Sequence, residues 1–132
     1  MKAAIYTANT TAAALGANST IPLGAIIRRF GCGLDLNGNG INLMEKGYYA
    51  VDASISYTPT AAGQLTVTLL ADGVAVPGAV ATVTGVAGST ANLHIVGMVK
   101  RCCEGAGTLT LTVNQAGTLN NVALLVEKAG EL

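Results

Sequence analysis

The run Asp35-Leu36-Asn37-Gly38-Asn39-Gly40 sets oxygen-bearing side chains at alternate positions before a glycine, the opening half of a calcium-binding loop. Calcium takes about six to eight oxygens, and such a loop closes on a bidentate carboxylate. Here that closing position holds Lys46, with Glu45 one place early, and Asn42 stands where an apolar residue is usual. The segment therefore reads as an Asn/Gly turn that launches a strand, with a weak metal site at Asp35, Asn37 and Asn39 as the alternative. His94 is the single histidine. Acyl-transfer chemistry would need it between a nucleophile and an orienting carboxylate. Ser19, Ser54, Ser56 and Ser89 are present, but none stands in a G-x-S-x-G elbow. His94 reads as a structural or interface residue, on one strand face with Asn92 and Val96. Cys102 and Cys103 are adjacent, without the C-x-x-C spacing that brings two sulfurs to one zinc ion. With Cys32 they make an odd number, so the three read as buried thiols acting as small hydrophobes, not as a disulfide framework. Gly31-Cys32-Gly33 and Gly38-Asn39-Gly40 lead into no helix and carry no Lys-Ser/Thr, so neither is a phosphate loop. Arg28-Arg29 and Lys100-Arg101 are local basic pairs, either facing carboxylates of a neighbouring subunit or simply solvated. No catalytic, cofactor-binding or metal constellation survives, and an enzyme is not expected.

The elements that carry these residues are strands. Val51, Ala53, Ile55 and Tyr57 alternate with Asp52, Ser54 and Ser56, and Leu65, Val67 and Leu69 alternate with Gln64, Thr66 and Thr68. Leu109, Leu111 and Val113 alternate with threonines and asparagine in the same way. Further strands are expected at 3–7, 21–30, 40–44, 79–84, 91–99 and 122–128. Asn37-Gly38, Asp72-Gly73, Pro77-Gly78 and several single glycines supply the turns between them. A strand about every ten residues points to an antiparallel sandwich or barrel. Tyr49, Val51, Ile55 and Tyr57 are expected to face inward, with Tyr48 and Asp52 outward.

Composition narrows the class. The 132 residues suit one domain, and no repeat or linker divides them. Seven Lys and Arg balance seven Asp and Glu, so the chain lacks the basic stripe that nucleic acid demands. Charged residues are 11%, against about 25% in an average soluble domain, and between Ala53 and Val99 Asp72 is the one charged side chain. So thinly charged a surface is expected to be covered by other subunits. Val96 and Met98 lie opposite Leu93, Ile95 and Val99, and Ala123 and Leu125 lie opposite Val122, Leu124 and Val126. A strand apolar on both faces needs a second cover, which closed symmetry supplies. The start of the chain forms no apolar signal-peptide core, and no apolar run has the length of a bilayer, so synthesis in the cytoplasm and no membrane partner are expected.

The segment Gly47-Tyr48-Tyr49-Ala50-Val51 through Ile55 resembles the central strand of the TNF/C1q-like jelly-roll family, G-x-Y-x-[FV]-x-x-x-[VI]. The hairpin Leu69 to Ala79, with Asp72-Gly73 at its tip, and the closing strand Asn121 to Lys128 are similar to the family's as well. The likeness spans residues 1–128 and is nearest to small virion proteins of tailed phages and prophages. It implies an all-β, two-sheet antiparallel jelly-roll sandwich of about eight to ten strands, assembled as a homotrimer. It further implies a non-enzymatic place in the virion as a capsid decoration or head-fibre protein, with other capsid proteins as partners. A receptor-binding tip or adhesin recognising a host surface glycan or protein is the alternative. Decoration is preferred because the expected jelly roll, running from Ala3 to Lys128, leaves no room for a fibrous shaft. Aromatics are too few for the C1q domains of animals, so no immune or hormone role is implied. The stretch 7–20 is rich in Ala, Thr, Asn, Ser and Gly, with Leu15 its one large apolar side chain. Residues 1–20 are accordingly expected as an extended N-terminal arm that anchors the particle by strand addition, the alternative being that the segment folds back as a jelly-roll edge strand of its own trimer.

Overall fold

A computed structural model describes residues 2–102 and 107–131. Strands dominate because the sequence alternates apolar with Thr, Ser and other polar residues at period two, the repeat that sends successive side chains to opposite faces. In chain order they are β1 (Ala4–Asn9), β2 (Ala13–Leu15), β3 (Ser19–Thr20), β4 (Ala25–Phe30), β5 (Leu34–Asn37) and β6 (Gly40–Leu43). Then come β7 (Gly47–Pro59), β8 (Gly63–Ala71), β9 (Val74–Gly85), β10 (Ala91–Arg101), β11 (Gly107–Val113) and β12 (Gly117–Gly130). One sheet runs β10-β7-β12-β1-β4, with β2 also on β12. The other runs β5-β6-β11-β8-β9, with β3 also on β11. The pairings are antiparallel.

The two sheets enclose one continuous apolar core. From the first come Ile5, Tyr49, Val51, Ile55, Tyr57, Leu93, Ile95, Val122, Leu124 and Val126. From the second come Ile41, Leu43, Leu65, Val67, Leu69, Leu109, Leu111 and Val113. The inward set expected on β7 is the buried set, and Tyr48 and Asp52 are exposed. Burying a tyrosine requires a partner for its hydroxyl, and both core tyrosines have one. Tyr49 donates to the Glu45 carbonyl at 2.8 Å and Tyr57 to the Gln115 carbonyl at 2.7 Å. The turn from β8 to β9 is two residues long, Asp72 at φ 51° and Gly73 at φ 80°. Positive φ at both central positions matches the twist of the strands it joins.

The strand count is twelve among the described residues, above the eight to ten expected. The excess comes from short pieces that alternation over a few residues cannot mark. The expected arm contributes most of them. The stretch 4–20 joins the sandwich in place of forming a separate arm: β1 lies between β12 and β4, β2 pairs β12, and β3 pairs β11. Its few apolar side chains suffice because Ile5 fills the core and Leu15 packs against it, with Ile21 and Leu23 buried just beyond. The expected strand 21–30 likewise begins only at Ala25.

Candidate assembly face

The outward faces of the two sheets differ in chemistry. On the second sheet the outward positions of β8 and β11 are mainly threonine hydroxyls, with Thr66 bonded across to Thr82 of β9 at 3.1 Å and Thr108 donating to Asn42 at 3.2 Å. Val74 and Val80, both on β9, are its large apolar exceptions. Hydroxyls of this kind are satisfied by water and need no cover. The first sheet is different. Val96 is 66% exposed, Met98 58% and Leu125 38%, each standing outward behind a neighbour already committed to the core. Register sets Val96 across from Asp52 and Met98 across from Ala50 on β7, while Leu125 on β12 flanks Asp52 on its other side. Together with Gly97 and Glu127 these residues line a cavity of about 410 Å³. Tyr6, Ser54 and Ala123 continue the surface as a second hollow of about 210 Å³.

Within this apolar field sits one polar pair. His94 Nε2 meets Asp52 Oδ1 across β10 and β7. Sequence reasoning placed His94 on the correct face but gave it no partner, since a contact between residues 42 apart depends on which strands pair. Ser54 lies directly opposite His94 in register. Its hydroxyl makes no hydrogen bond to the ring, and both members of the polar pair are more than half exposed. A serine-hydrolase arrangement requires the imidazole to bridge carboxylate and hydroxyl through its two nitrogens, so the trio as placed does not activate Ser54.

The other candidate residues are dispersed. Asp35 and Asn37 lie on β5, and Asn39 falls in the two-residue turn to β6. Asp35 accepts from Arg29 Nη1 at 2.9 Å, so its carboxylate is turned to a guanidinium on β4. Arg101 approaches Asp72 at 3.5 Å. One arginine of each basic pair, Arg29 and Arg101, thus meets a carboxylate of its own chain, where a neighbouring subunit or solvent was expected. Cys32 and Cys102 are exposed, correcting the expectation of buried thiols. Each sits just past the end of a strand, outside the period-two pattern that carries side chains into the core. Cys103 lies outside the described residues.

One buried charge escaped the sequence reading. Lys128 is on the inward face of β12, its side chain 4% exposed, with Nζ 3.2 Å from Glu45 Oε1 and 3.3 Å from Glu131 Oε2. Desolvation, the largest influence, pulls its pKa down, but the hydrogen bonds and charges of the two glutamates outweigh it and hold the ammonium above the ordinary lysine value. Desolvation also raises the Tyr49 and Tyr57 hydroxyls. All three groups hold their proton more tightly folded than unfolded, so the native state binds more protons on the alkaline side. Their contribution is complete below the unfolded values, near 10, and is lost as pH rises beyond about 10. Urea midpoints measured from pH 8 upward are expected to fall above about pH 10, and Lys128→Met to flatten part of that fall. A midpoint independent of pH across that range would contradict the assignment.

The sequence matches no family model and no curated protein. Solved structures share the architecture. Murine APRIL at pH 5.0 superposes with a TM-score of 0.75 at 10% identity, over 97% of this chain and 99% of that one. The globular domain of zebrafish complement 1qA gives 0.67 at 8% identity, over 94% of each chain. PRD1 vertex protein P5 gives 0.61 at 13% identity, over 96% of this chain and 72% of that one. At such identities the likeness is one of fold. The chain is an all-β, two-sheet antiparallel sandwich of the TNF/C1q-like kind.

Proposed function

We propose that this chain is a non-enzymatic structural module that assembles as a homotrimer through the outward face of its first sheet and decorates a virion as a capsid or head-fibre protein. The observation that carries the assembly is the exposure of Val96, Met98 and Leu125 behind a core that is already full. Complete burial of such a side chain is worth roughly 1.5–3 kcal/mol, an upper bound for groups already part-covered. Closed threefold symmetry collects that gain from every copy and leaves no face open to further growth. Likeness in fold to TNF/C1q-like proteins supports the trimer, and likeness to a vertex protein supports a place on a particle. The virion role rests as well on the sequence resemblance to small phage proteins.

Sedimentation at micromolar concentration is expected to give a species near three times the 13.2 kDa chain mass. The double change Val96→Lys, Met98→Lys should release folded monomers, while Thr68→Lys on the hydroxyl face should leave the assembly intact. A wild-type chain that sediments as a monomer overturns the trimer. Electron microscopy of a particle carrying the chain tests the second half: ordered density on the capsid surface supports decoration, and density confined to a fibre tip favours the adhesin.

A further inference from the structure

Strand β4, Ala25-Ile26-Ile27-Arg28-Arg29-Phe30, is exposed at all six positions. It ends the first sheet, pairing with β1 on one side. Its position is firmly set. Gly24 and Gly31 flank it at φ 83° and 80°, and a Cβ at either would come within 2.5 Å of a β1-side carbonyl, that of Ala8 or of Lys2. Only glycine lets the chain turn so close to its neighbour strand. A bulge between Tyr6 and Thr7 leaves Ile27 without a partner across the ladder. Ile26, Ile27 and Phe30 are all large, apolar and in solvent. An edge of this kind offers unpaired backbone groups to any extended chain, and natural edges are commonly blunted against that.

The blunting here is selective. β4 carries two arginines and no carboxylate. Asp35 neutralises Arg29 at 2.9 Å, while Arg28 Nη1 donates to the carbonyl of Ile27 on its own strand at 2.8 Å. A second copy adding edge to edge would bring four guanidinium groups into one strand pair, and like charges across strands are destabilising. A strand carrying Glu or Asp would meet the same guanidinium groups favourably. We propose that β4 is a strand-addition site for an extended, acidic segment of a partner protein, with Arg28 as the charge that selects it and Ile26, Ile27 and Phe30 as its apolar contacts. This does not rest on the trimer, because β4 lies at the opposite edge of the sheet from β10, where Val96 and Met98 stand.

The probes are a fluorescent strand-length peptide alternating valine with glutamate and its valine–lysine counterpart, titrated into the intact protein. The glutamate peptide is expected to bind, to slow amide exchange across 25–30, and to weaken with added salt. The lysine peptide should bind at least about tenfold less tightly, since like-charge juxtaposition is costly. Arg28→Glu, whose wild-type side chain bonds only within its own strand, should fold normally and reverse that preference. Equal binding of both peptides, protection at strands other than β4, or an unchanged preference in Arg28→Glu overturns the proposal. So does protection of 25–30 in the protein alone that dilution removes, which would make a second copy the occupant. The trimer is read separately, by sedimentation of the Val96 and Met98 variants.

Discussion

Tyr49→Ala is expected to lower the unfolding free energy by about 3–5 kcal/mol, while its neighbour Tyr48→Ala changes it by about 0.5 kcal/mol. Tyr49 is 1% exposed on the inward face of β7, among the largest side chains fully enclosed by the core. Removing the ring leaves a cavity that close-packed neighbours fill only in part. It also takes away the donor that satisfies the Glu45 carbonyl. Tyr48 is 37% exposed and points out on the side of the assembly face. Its loss should show in assembly more than in folding. Urea unfolding of the two variants, followed at one protein concentration, makes the comparison. A loss of the expected size is a large part of the roughly 5–15 kcal/mol that holds a domain together. Equal shifts would mean that the strand faces are assigned wrongly.

Deleting residues 1–18 is expected to abolish cooperative folding altogether. β1 is an interior strand, paired with β12 from Ala4 to Asn9 and with β4 on its far side. Without it, β12 loses a ladder partner, Ile5 leaves the core, and β4 has nothing to pair with. β2, which supplies Leu15 to the core margin, goes as well. The truncated chain should lack near-ultraviolet dichroism and a sigmoidal unfolding curve. A folded, trimeric truncation would restore residues 1–20 as a separable arm. The expected failure has a functional corollary. On the proposed virion role, a segment built into the sandwich leaves attachment to another surface, for which we propose the edge at Arg28 and Arg29.

Some of this was legible before any coordinates. Alternation of Val, Ile, Leu and Tyr with Thr and Ser identified the long strands and their inward residues, because side-chain direction in a strand follows local sequence parity alone. The turn at Asp72-Gly73 was legible for the same local reason, that few residues accept positive φ. The apolar outer face could be expected as well, since Val96, Met98 and Leu125 fall on the wrong parity for the core they flank. Those features need no knowledge of which strand lies beside which. The rest does. Whether a weakly patterned segment such as 4–20 is an arm or a sheet member depends on partners more than 90 residues away, including β12. The pairing of His94 with Asp52, the approach of Glu45 to the buried Lys128, and the isolation of β4 at a basic edge are likewise products of strand order. Parity along the chain decided which side chains face inward; only long-range hydrogen-bond pairing between strands decided which polar groups meet and which edge stays open.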